Sequence, residues 1–336
     1  MVTIKHIAEQ CSVSVATVSK ALNNAPDIGA ETGNRIRETA RTLGYFPNAA
    51  ARALRTNHSY NIGVLFVDGT SSGLTHEYFS QVLNSLKNET ERQGYDITFI
   101  SRNIGETSMS YLEHCKYRNC DGVVIASVDF NDPSITELVK SNIPVVTIDY
   151  VFDNCSAVLS DNVQSMRDLL RFIYGKGHRR IAMIHGEDTA VTRFRLASFH
   201  KTCEELSLVI PDEYVRQGTY HDPRSSGLAT RELLAMKSRP TCIMYPDDVS
   251  FIGGMNEIER QGLSIPEDIS VTGYDGVYLS QVLRPRLTTL KQDSDAIGEQ
   301  AARMLVSAIK SPKTYIPSRA VVPGTVWEGE TVRQIP

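Results

Sequence analysis

Between residues 3 and 44 the apolar positions recur at helical spacing in three short runs. Ile4, Ile7, Ala8 and Cys11 fall at i, i+3, i+4 and i+7 with Lys5, Glu9 and Gln10 on the wet side, and Thr3 stands where an N-cap belongs. Ser12-Val13-Ser14 breaks that stripe. Ser14 supplies a second cap, and Val15, Val18, Ala21 and Leu22 carry the next helix. A connection of about three residues sets two short helices at the steep angle of a helix-turn-helix. After Asn23-Asn24-Ala25-Pro26-Asp27, a third helix places Ile36, Ala40 and Leu43 on one face and stops at Gly44.

From Asn61 onward the pattern changes to short apolar runs alternating with helical ones. The runs predict strands over 62–67, 97–101, 122–127, 145–149, 158–160, 180–185, 242–245 and 269–274. Helical stripes are carried by Phe79, Val82, Leu83 and Leu86, by Phe199, Cys203 and Leu206, and by Ile297, Ala301, Met304 and Leu305. Such alternation predicts an α/β fold with doubly wound parallel sheets, and about eight strands suit two similar halves better than one wide sheet. Two such halves leave a ligand cleft at the carboxyl ends of their strands.

Composition narrows the class. At 336 residues, 41% hydrophobic and 22% charged, the chain is an ordinary folded protein of two or three domains. No apolar run approaches the ~20 residues that cross a bilayer, and the first twenty residues lack the uninterrupted apolar stretch of a signal peptide, so a cytoplasmic protein without a membrane partner is expected. The six cysteines are scattered without a C-x-x-C, as for reduced thiols. His114, Cys115 and Cys120 are the nearest approach to a metal cluster, but no second pair stands at ligand spacing, so no metal and no other cofactor is expected. The net charge of −4 conceals a division: residues 1–58 carry seven Lys/Arg against four Asp/Glu, a balance of +3, and the remainder is acidic at −7. A small basic module on an acidic body suits nucleic-acid binding, with a chance fluctuation as the bland alternative.

In a helix-turn-helix the second helix enters the major groove. Lys20 can then meet guanine, Val15 and Ala16 can meet thymine methyl groups, and Thr17, Ser19 and Asn23 suit phosphate or sugar. A bundle that merely packs remains the alternative. Residues 48–55 form a short alanine-rich basic stretch, too short to hold a helix alone and readable as a linker that folds when supported. Leu54 within it is either a wedge for a minor-groove base step or a packing residue. Polar side chains gather where the strands should end: Asp68, Ser127 with Asp129, Asp149, Asp161 with Asn162, Asp247 with Asp248, and Asp275. Carboxylates there can bind vicinal hydroxyls, and Tyr78 and Phe79 can cover the apolar face of a sugar ring. Each acid taken singly reads equally well as a helix cap or turn residue.

Three segments carry a family resemblance: Val2-Thr3-Ile4-Lys5-His6-Ile7-Ala8; Val13 to Asn23; and Leu43-Gly44-Tyr45-Phe46-Pro47-Asn48 with Ala51-Arg52-Ala53-Leu54. Together they resemble the lactose/galactose repressor (LacI/GalR) family, and the resemblance extends over nearly the whole chain. Two departures are expected to soften the small domain by about 1 kcal/mol each: His6 where an acidic capping partner is common, and Gly33 inside the third helix.

The resemblance implies a DNA-binding interface of Thr3, Ser14, Val15, Ala16, Thr17, Ser19, Lys20, Asn23, Tyr45, Asn48, Arg52, Leu54 and Arg55. In the core, Arg193-Phe194-Arg195-Leu196-Ala197-Ser198-Phe199 resembles a helix start that makes Arg195 the ligand-binding arginine, with Ser198 in place of the usual glycine. Met244-Tyr245-Pro246-Asp247-Asp248 and Gly273-Tyr274-Asp275 resemble the stretches that bring Asp248 and Asp275 to the ligand. The expected effector set is Asp68, Tyr78, Phe79, Ser127, Asp129, Asp149, Asp161, Arg195, Asp248 and Asp275. Gly177-His178-Arg179-Arg180-Ile181 also matches and reads as structural.

The expected organisation is a helix-turn-helix domain over 1–47 and a hinge helix over 48–59. A periplasmic-binding-protein-like core over 60–336 follows, its subdomains being approximately 60–161 plus 291–322, and 162–290 plus 323–336. The implied partners are double-stranded operator DNA, a small-molecule effector of carbohydrate type, and a second copy of the chain. The chain ends at Pro336 without a leucine heptad, so a homodimer is expected. No G-x-S-x-G, phosphate-loop or H-E-x-x-H motif occurs, which disfavours an enzyme. The competing reading is an α/β protein that processes or binds sugars inside the cell without operator function.

Overall fold

The computed structural model describes residues 2–46, 58–67 and 73–336. It divides into two compact units, Met1–Ser59 and Tyr60–Pro336. The hinge positions Asn48, Arg52, Leu54 and Arg55, and Asp68 in the core, lie outside the described residues.

In the first unit, helices α1 (Ile4–Gln10), α2 (Val15–Leu22) and α3 (Ala30–Thr42) bury Ile7, Ala8, Cys11, Val18, Ala21, Ile36 and Ala40 against one another. Ser14 caps α2 by accepting from the Thr17 amide at 3.0 Å. Gly44, at φ +64°, ends α3 in a left-handed turn that closes with a bond from the Tyr45 amide to the Ala40 carbonyl. The expected weakness at His6 is not observed: its Nδ1 accepts from the Thr3 amide at 3.1 Å, so the imidazole does the work of the acidic capping partner. Gly33 does fall inside α3, where it leaves room for the Arg37 guanidinium, which donates to Ala21 O at 3.2 Å and so braces α3 on α2.

The second unit contains β1 (Asn61–Phe66), β2 (Asp96–Phe99), β3 (Asn103–Ile104), β4 (Thr107–Ser108), β5 (Gly122–Ser127), β6 (Val145–Ile148) and β7 (Ser156–Ser160). It continues with β8 (Ile181–His185), β9 (Val215–Gln217), β10 (Cys242–Met244), β11 (Ser270–Asp275), β12 (Thr288–Lys291), β13 (Arg319–Val322) and β14 (Thr325–Trp327). One six-stranded sheet has the order β13-β7-β6-β5-β1-β2 and the other β14-β12-β11-β10-β8-β9; β3 and β4 form a small ribbon. Every neighbour in the large sheets is parallel except β14, which runs antiparallel to β12. Apolar clusters cover both faces of each sheet, which is why β5 reads as a near-continuous apolar run. Strand order reverses between β1 and β5 and again between β8 and β10, the positions at which doubly wound sheets open a crevice.

The chain leaves the first sheet after β7, returns after β12, and crosses again between β13 and β14. The returning helix Ser294–Lys310 lies along the helix Glu77–Arg92, and Gly298 makes that approach possible: a Cβ there would meet the Val82 carbonyl and, at 2.6 Å, the Leu86 amide nitrogen. Among the described residues no helix is long and apolar enough to cross a membrane.

Gly298→Ala should therefore destabilise the core by about 1–3 kcal/mol, the usual cost of overpacking, although alanine is the better helix former. Thermal unfolding followed by calorimetry should show the drop. A rise in melting temperature would mean that the two helices are free to move apart.

Candidate functional site

The cleft is organised by Arg195, on the first turns of the helix Ala190–Glu205 that follows β8. Its side chain is buried. Nε donates to Asn162 Oδ1 at 2.8 Å, Nη1 donates to the Pro246 carbonyl at 3.0 Å, and the guanidinium lies 3.4 Å above the Tyr274 ring centroid. A desolvated cation over an aromatic face gains about 2 kcal/mol or more. Burial works against this charge, but Tyr274, Tyr220, Asp275 and Asp149 outweigh it, and the Arg195 pKa is raised. Tyr274 is pushed up to about 12 by burial, in spite of the cation beneath it.

Carboxylates surround this one guanidinium. Asp275 ends β11 at φ +97°; its Oδ1 accepts from Gln292 Nε2 at 2.7 Å and its Oδ2 lies 4.0 Å from His221 Nε2. Asp149 follows β6 at φ +55° and accepts from the Ser160 amide at 2.6 Å and the Ser160 hydroxyl at 3.0 Å. Asp248 is fully buried, with Oδ1 accepting from Thr289 Oγ1 at 2.6 Å and Oδ2 from the Val277 amide at 2.9 Å. Burial raises the pKa of all three acids, and the Asp275 charge adds to the rise at Asp248. His221 is held at φ +54°, so three non-glycine residues of the cleft occupy the left-handed region, at about 1–3 kcal/mol each.

The two halves of the core also meet here. The His76 ring, at the start of the helix Glu77–Arg92, lies with its centroid 3.7 Å from that of His221, and the Tyr278 amide donates to Glu77 Oε1 at 2.5 Å. Tyr78 is buried with its hydroxyl 3.4 Å from Ser160 Oγ, and Phe79 packs edge-on against His76. Ser127 ends β5, half-buried.

Two of the expected effector residues are engaged in local backbone contacts. Asp129 is exposed and spends Oδ1 on the Asn131 amide at 2.9 Å, a turn contact. Asp161 caps the helix Asn162–Gly175 through the Gln164 amide. In both, the local backbone demand for an acceptor determines where the carboxylate points. Asp248 is present but has both oxygens committed to the protein, so it acts here as a brace between β12 and the turn after β11. Gly273 leaves the space it needs.

Sequence reasoning missed Asn162 as the partner of Arg195, and Tyr220, whose ring lies 5.8 Å from the guanidinium and whose hydroxyl bonds Thr192 Oγ1 at 2.9 Å. It also missed His76, His221 and Gln292. Gln292 is buried with its Oε1 unpartnered, an acceptor held without a donor beside Asp275. Its signal was its place directly after β12, a strand too polar to be recognised. A concavity of about 740 Å3 lined by Arg180, Lys237, Arg239, Thr241 and Asp268 lies at the opposite, amino ends of β8 and β10.

On the first unit, Thr3, Ser14, Val15, Ala16, Lys20 and Asn23 are exposed, and Thr17, Ser19 and Tyr45 are half-buried. Val15 exposes 42% of its surface, unusual for an apolar side chain at a helix start. Ser14 and Thr17 share a hydroxyl contact of 2.8 Å, Asn23 Nδ2 donates to the Ser19 carbonyl at 2.5 Å, and Lys20 is paired with Asp27.

Comparison with known proteins gives consistent results for both units. Residues 3–48 match the family model "Bacterial regulatory proteins, lacI family", and residues 170–332 match "Periplasmic binding protein-like domain". The HTH-type transcriptional repressor PurR of Escherichia fergusonii is 31% identical over 315 residues, covering 92% of this chain and 91% of the relative. PurR of Klebsiella pneumoniae is 30% identical over 332 residues, 97% and 96%. Among solved structures, a lac repressor dimer bound to operator and the anti-inducer ONPF superposes with TM-score 0.82 at 24% identity, covering 99% of each chain. A CelR–cellobiose complex superposes with TM-score 0.72 at 21% identity, covering 98% of this chain and all of that one.

The raised pKa of Asp248 has a testable sign. A carboxyl whose folded pKa lies above its unfolded value contributes stability that is complete below the unfolded pKa, near 4, and is lost as pH rises through the folded value. Wild type should therefore gain stability relative to Asp248→Asn as the pH falls from neutrality towards about 4. Paired thermal melts across that range measure it, and a gap that moves the opposite way would show Asp248 to be stabilised as the anion.

Proposed function

The chain belongs to the LacI family of bacterial regulatory proteins, whose relatives are repressors rather than enzymes, and from that footing we propose that it is a ligand-controlled repressor of its own operator. On this reading residues 1–47 read DNA, residues 48–59 form the hinge, and residues 60–336 bind the effector and a second copy of the chain. The proposed halves of that core are 60–161 plus 291–322 and 162–290 plus 323–336, a division that the three crossovers between the two sheets support. The work is done in the cytoplasm, where the DNA is.

The observation that carries the reading is the cluster of buried Arg195, Asp275 and Gln292 with half-buried Asp149, on a chain that also displays an exposed helix-turn-helix face. A polyhydroxylated molecule, a sugar or sugar derivative, suits that cluster. Its hydroxyls donate to Gln292 Oε1 and the carboxylates, and its oxygens accept from Arg195. The CelR–cellobiose complex and a LacI-family regulator from Enterococcus faecium with bound ribose, of TM-score 0.70, lend support from the same fold. A second reading, a planar nucleobase or nucleoside, is favoured by the ring pair His76 and His221.

DNA contacts are proposed for Thr3, Ser14, Val15, Ala16, Thr17, Ser19, Lys20, Asn23 and Tyr45, with Asn48, Arg52, Leu54 and Arg55 added from the hinge. Lys20 reaches a base by exchanging its Asp27 partner. A twofold operator is read by two heads, and the lac repressor dimer on its operator offers the structural parallel.

Selection from genomic fragments should enrich a pseudo-palindromic duplex whose affinity falls steeply with salt, because phosphate neutralisation releases counterions. Lys20→Ala should relax base preference by about 1–3 kcal/mol per half-site. Recovery of no palindrome, with or without ligands, would remove the operator function and favour a sugar-binding protein. In a thermal-shift screen, the true effector should stabilise wild type, and Arg195→Ala or Asp275→Ala should lose about 1.5–3 kcal/mol of binding. A response to nucleosides but not to carbohydrates would select the second reading.

A further inference from the structure

The helix Tyr111–Tyr117 ends in a turn that holds two thiols together. Asn119 adopts φ +51°, the Cys120 amide donates to the Cys115 carbonyl at 2.9 Å, and the Asn119 amide donates to the Lys116 carbonyl at 3.0 Å. In this Schellman arrangement the side chains three positions before the cap and two after it meet, normally as an apolar contact. Here both are cysteines. Cys120 packs against the apolar cluster that contains Cys115, and both thiols are free.

Their surroundings differ. Cys115 is completely buried, whereas Cys120 is half-buried and open to small reagents. Asn61 Nδ2 lies 3.6 Å from the Cys120 sulfur as a donor. The neighbouring Cys115 thiol holds the Cys120 pKa below the ordinary thiol value against burial and Asp121, with help from Arg118, while the Cys120 thiol and burial together push Cys115 up. His114 adds no ligand to the pair: its Nδ1 is bonded to the Ser101 backbone, and no metal-holding group of three such side chains exists among the described residues.

We propose that Cys115 and Cys120 form an oxidant-responsive dithiol, in which Cys120 reacts with a hydroperoxide and Cys115 then closes an intramolecular disulfide. The Cys120 sulfur attacks the peroxide, the O–O bond breaks, and the departing oxygen takes up the Cys120 proton, leaving as water or an alcohol; Cys120 becomes a sulfenic acid. The Cys115 sulfur then displaces that hydroxyl, which leaves as water with the Cys115 proton. Two thiols lose two electrons and one hydroperoxide gains them. The turn already brings the two residues together through its closing backbone bond, so little chain movement is needed.

The same turn fastens the entrance of the core. The Asp121 amide donates to Asn61 O at 2.8 Å, the Tyr60 amide donates to Asp121 Oδ2 at 2.9 Å, and Asn61 Nδ2 donates to the Arg118 carbonyl at 3.1 Å. Oxidation takes the Cys120 sulfur away from Asn61, the first residue of β1.

The test uses the full chain, reduced, freed of reductant, exposed to hydrogen peroxide, alkylated with N-ethylmaleimide and digested without reduction. Mass spectrometry should show a Cys115–Cys120 cross-link, two hydrogen masses lighter than the dithiol and reversed by dithiothreitol. It should form more than about tenfold faster than any change at the buried Cys11, Cys155, Cys203 and Cys242, as expected when reactivity follows exposure and thiolate character. In Cys115→Ser, Cys120 should stop at a sulfenic acid that dimedone traps. Both thiols remaining alkylatable, Cys120 passing to the sulfinic acid without a cross-link, or disulfides joining separate chains would each overturn the proposal.

Discussion

A guanidinium buried between two halves of a protein is the constraint on which the core depends. Arg195 cannot lose its proton, so the fold must supply counter-charge and hydrogen bonds wherever it places the residue. It does so with Asn162, the Pro246 carbonyl, the Tyr274 face, and carboxylates that arrive from both sheets. The supply exceeds the demand: Asp149, Asp248 and Asp275 are all raised in pKa by burial in one region with one obligate cation. Gln292 Oε1 is left without a donor and Asp275 Oδ2 stands 4.0 Å from His221 Nε2, so these two acceptors are the ones open to a ligand's donors. A ligand carrying several hydroxyl donors relieves that imbalance, and this is the physical reason for the effector assigned to it.

The residues that hold this cluster are also the residues by which the chain passes between halves. Asn162 is the second residue beyond β7, at the start of the helix that leads away from the first sheet, and Gln292 is the first beyond β12 on the way back. On the proposed reading, a ligand that reorganises Arg195 or Asp275 acts on the connecting segments themselves, a route by which a small binding energy is converted into relative movement of packed domains. The strained backbone at Asp149, His221 and Asp275 belongs to the same economy, since each position is held by its surroundings in a conformation it would not choose.

Much of this was legible from pattern. The three N-terminal helices were readable because their stripes are short, capped and separated by turn residues, and Gly44 ended the third where expected. Strands buried on both faces, such as β5, announced themselves as near-continuous apolar runs. The strands that escaped, β3, β4, β9, β12, β13 and β14, are too short to show a period, and those in the two large sheets lie at or near the sheet margins. Arg195 was reached through resemblance alone. Its neighbours Tyr220, His76, His221 and Gln292 were not, and Asn162 stood among the strand-end polar residues without its pairing to Arg195 being readable, because each becomes functional only through tertiary placement. Asp129 and Asp161 stood at strand ends but satisfied backbone amides, and spacing along the chain does not separate those roles.

If the cleft and the DNA-binding face belong to one switch, their binding free energies are coupled, and coupling is reciprocal. The most direct measurement is the dissociation constant of the effector taken twice, for the free protein and for the protein saturated with its selected operator duplex. The account predicts two different values, in a ratio equal to the change that saturating effector makes in operator affinity. Equal values, with both ligands bound, would contradict it: the cleft would then be a binding site and the first unit a DNA-binding domain, with no switch between them.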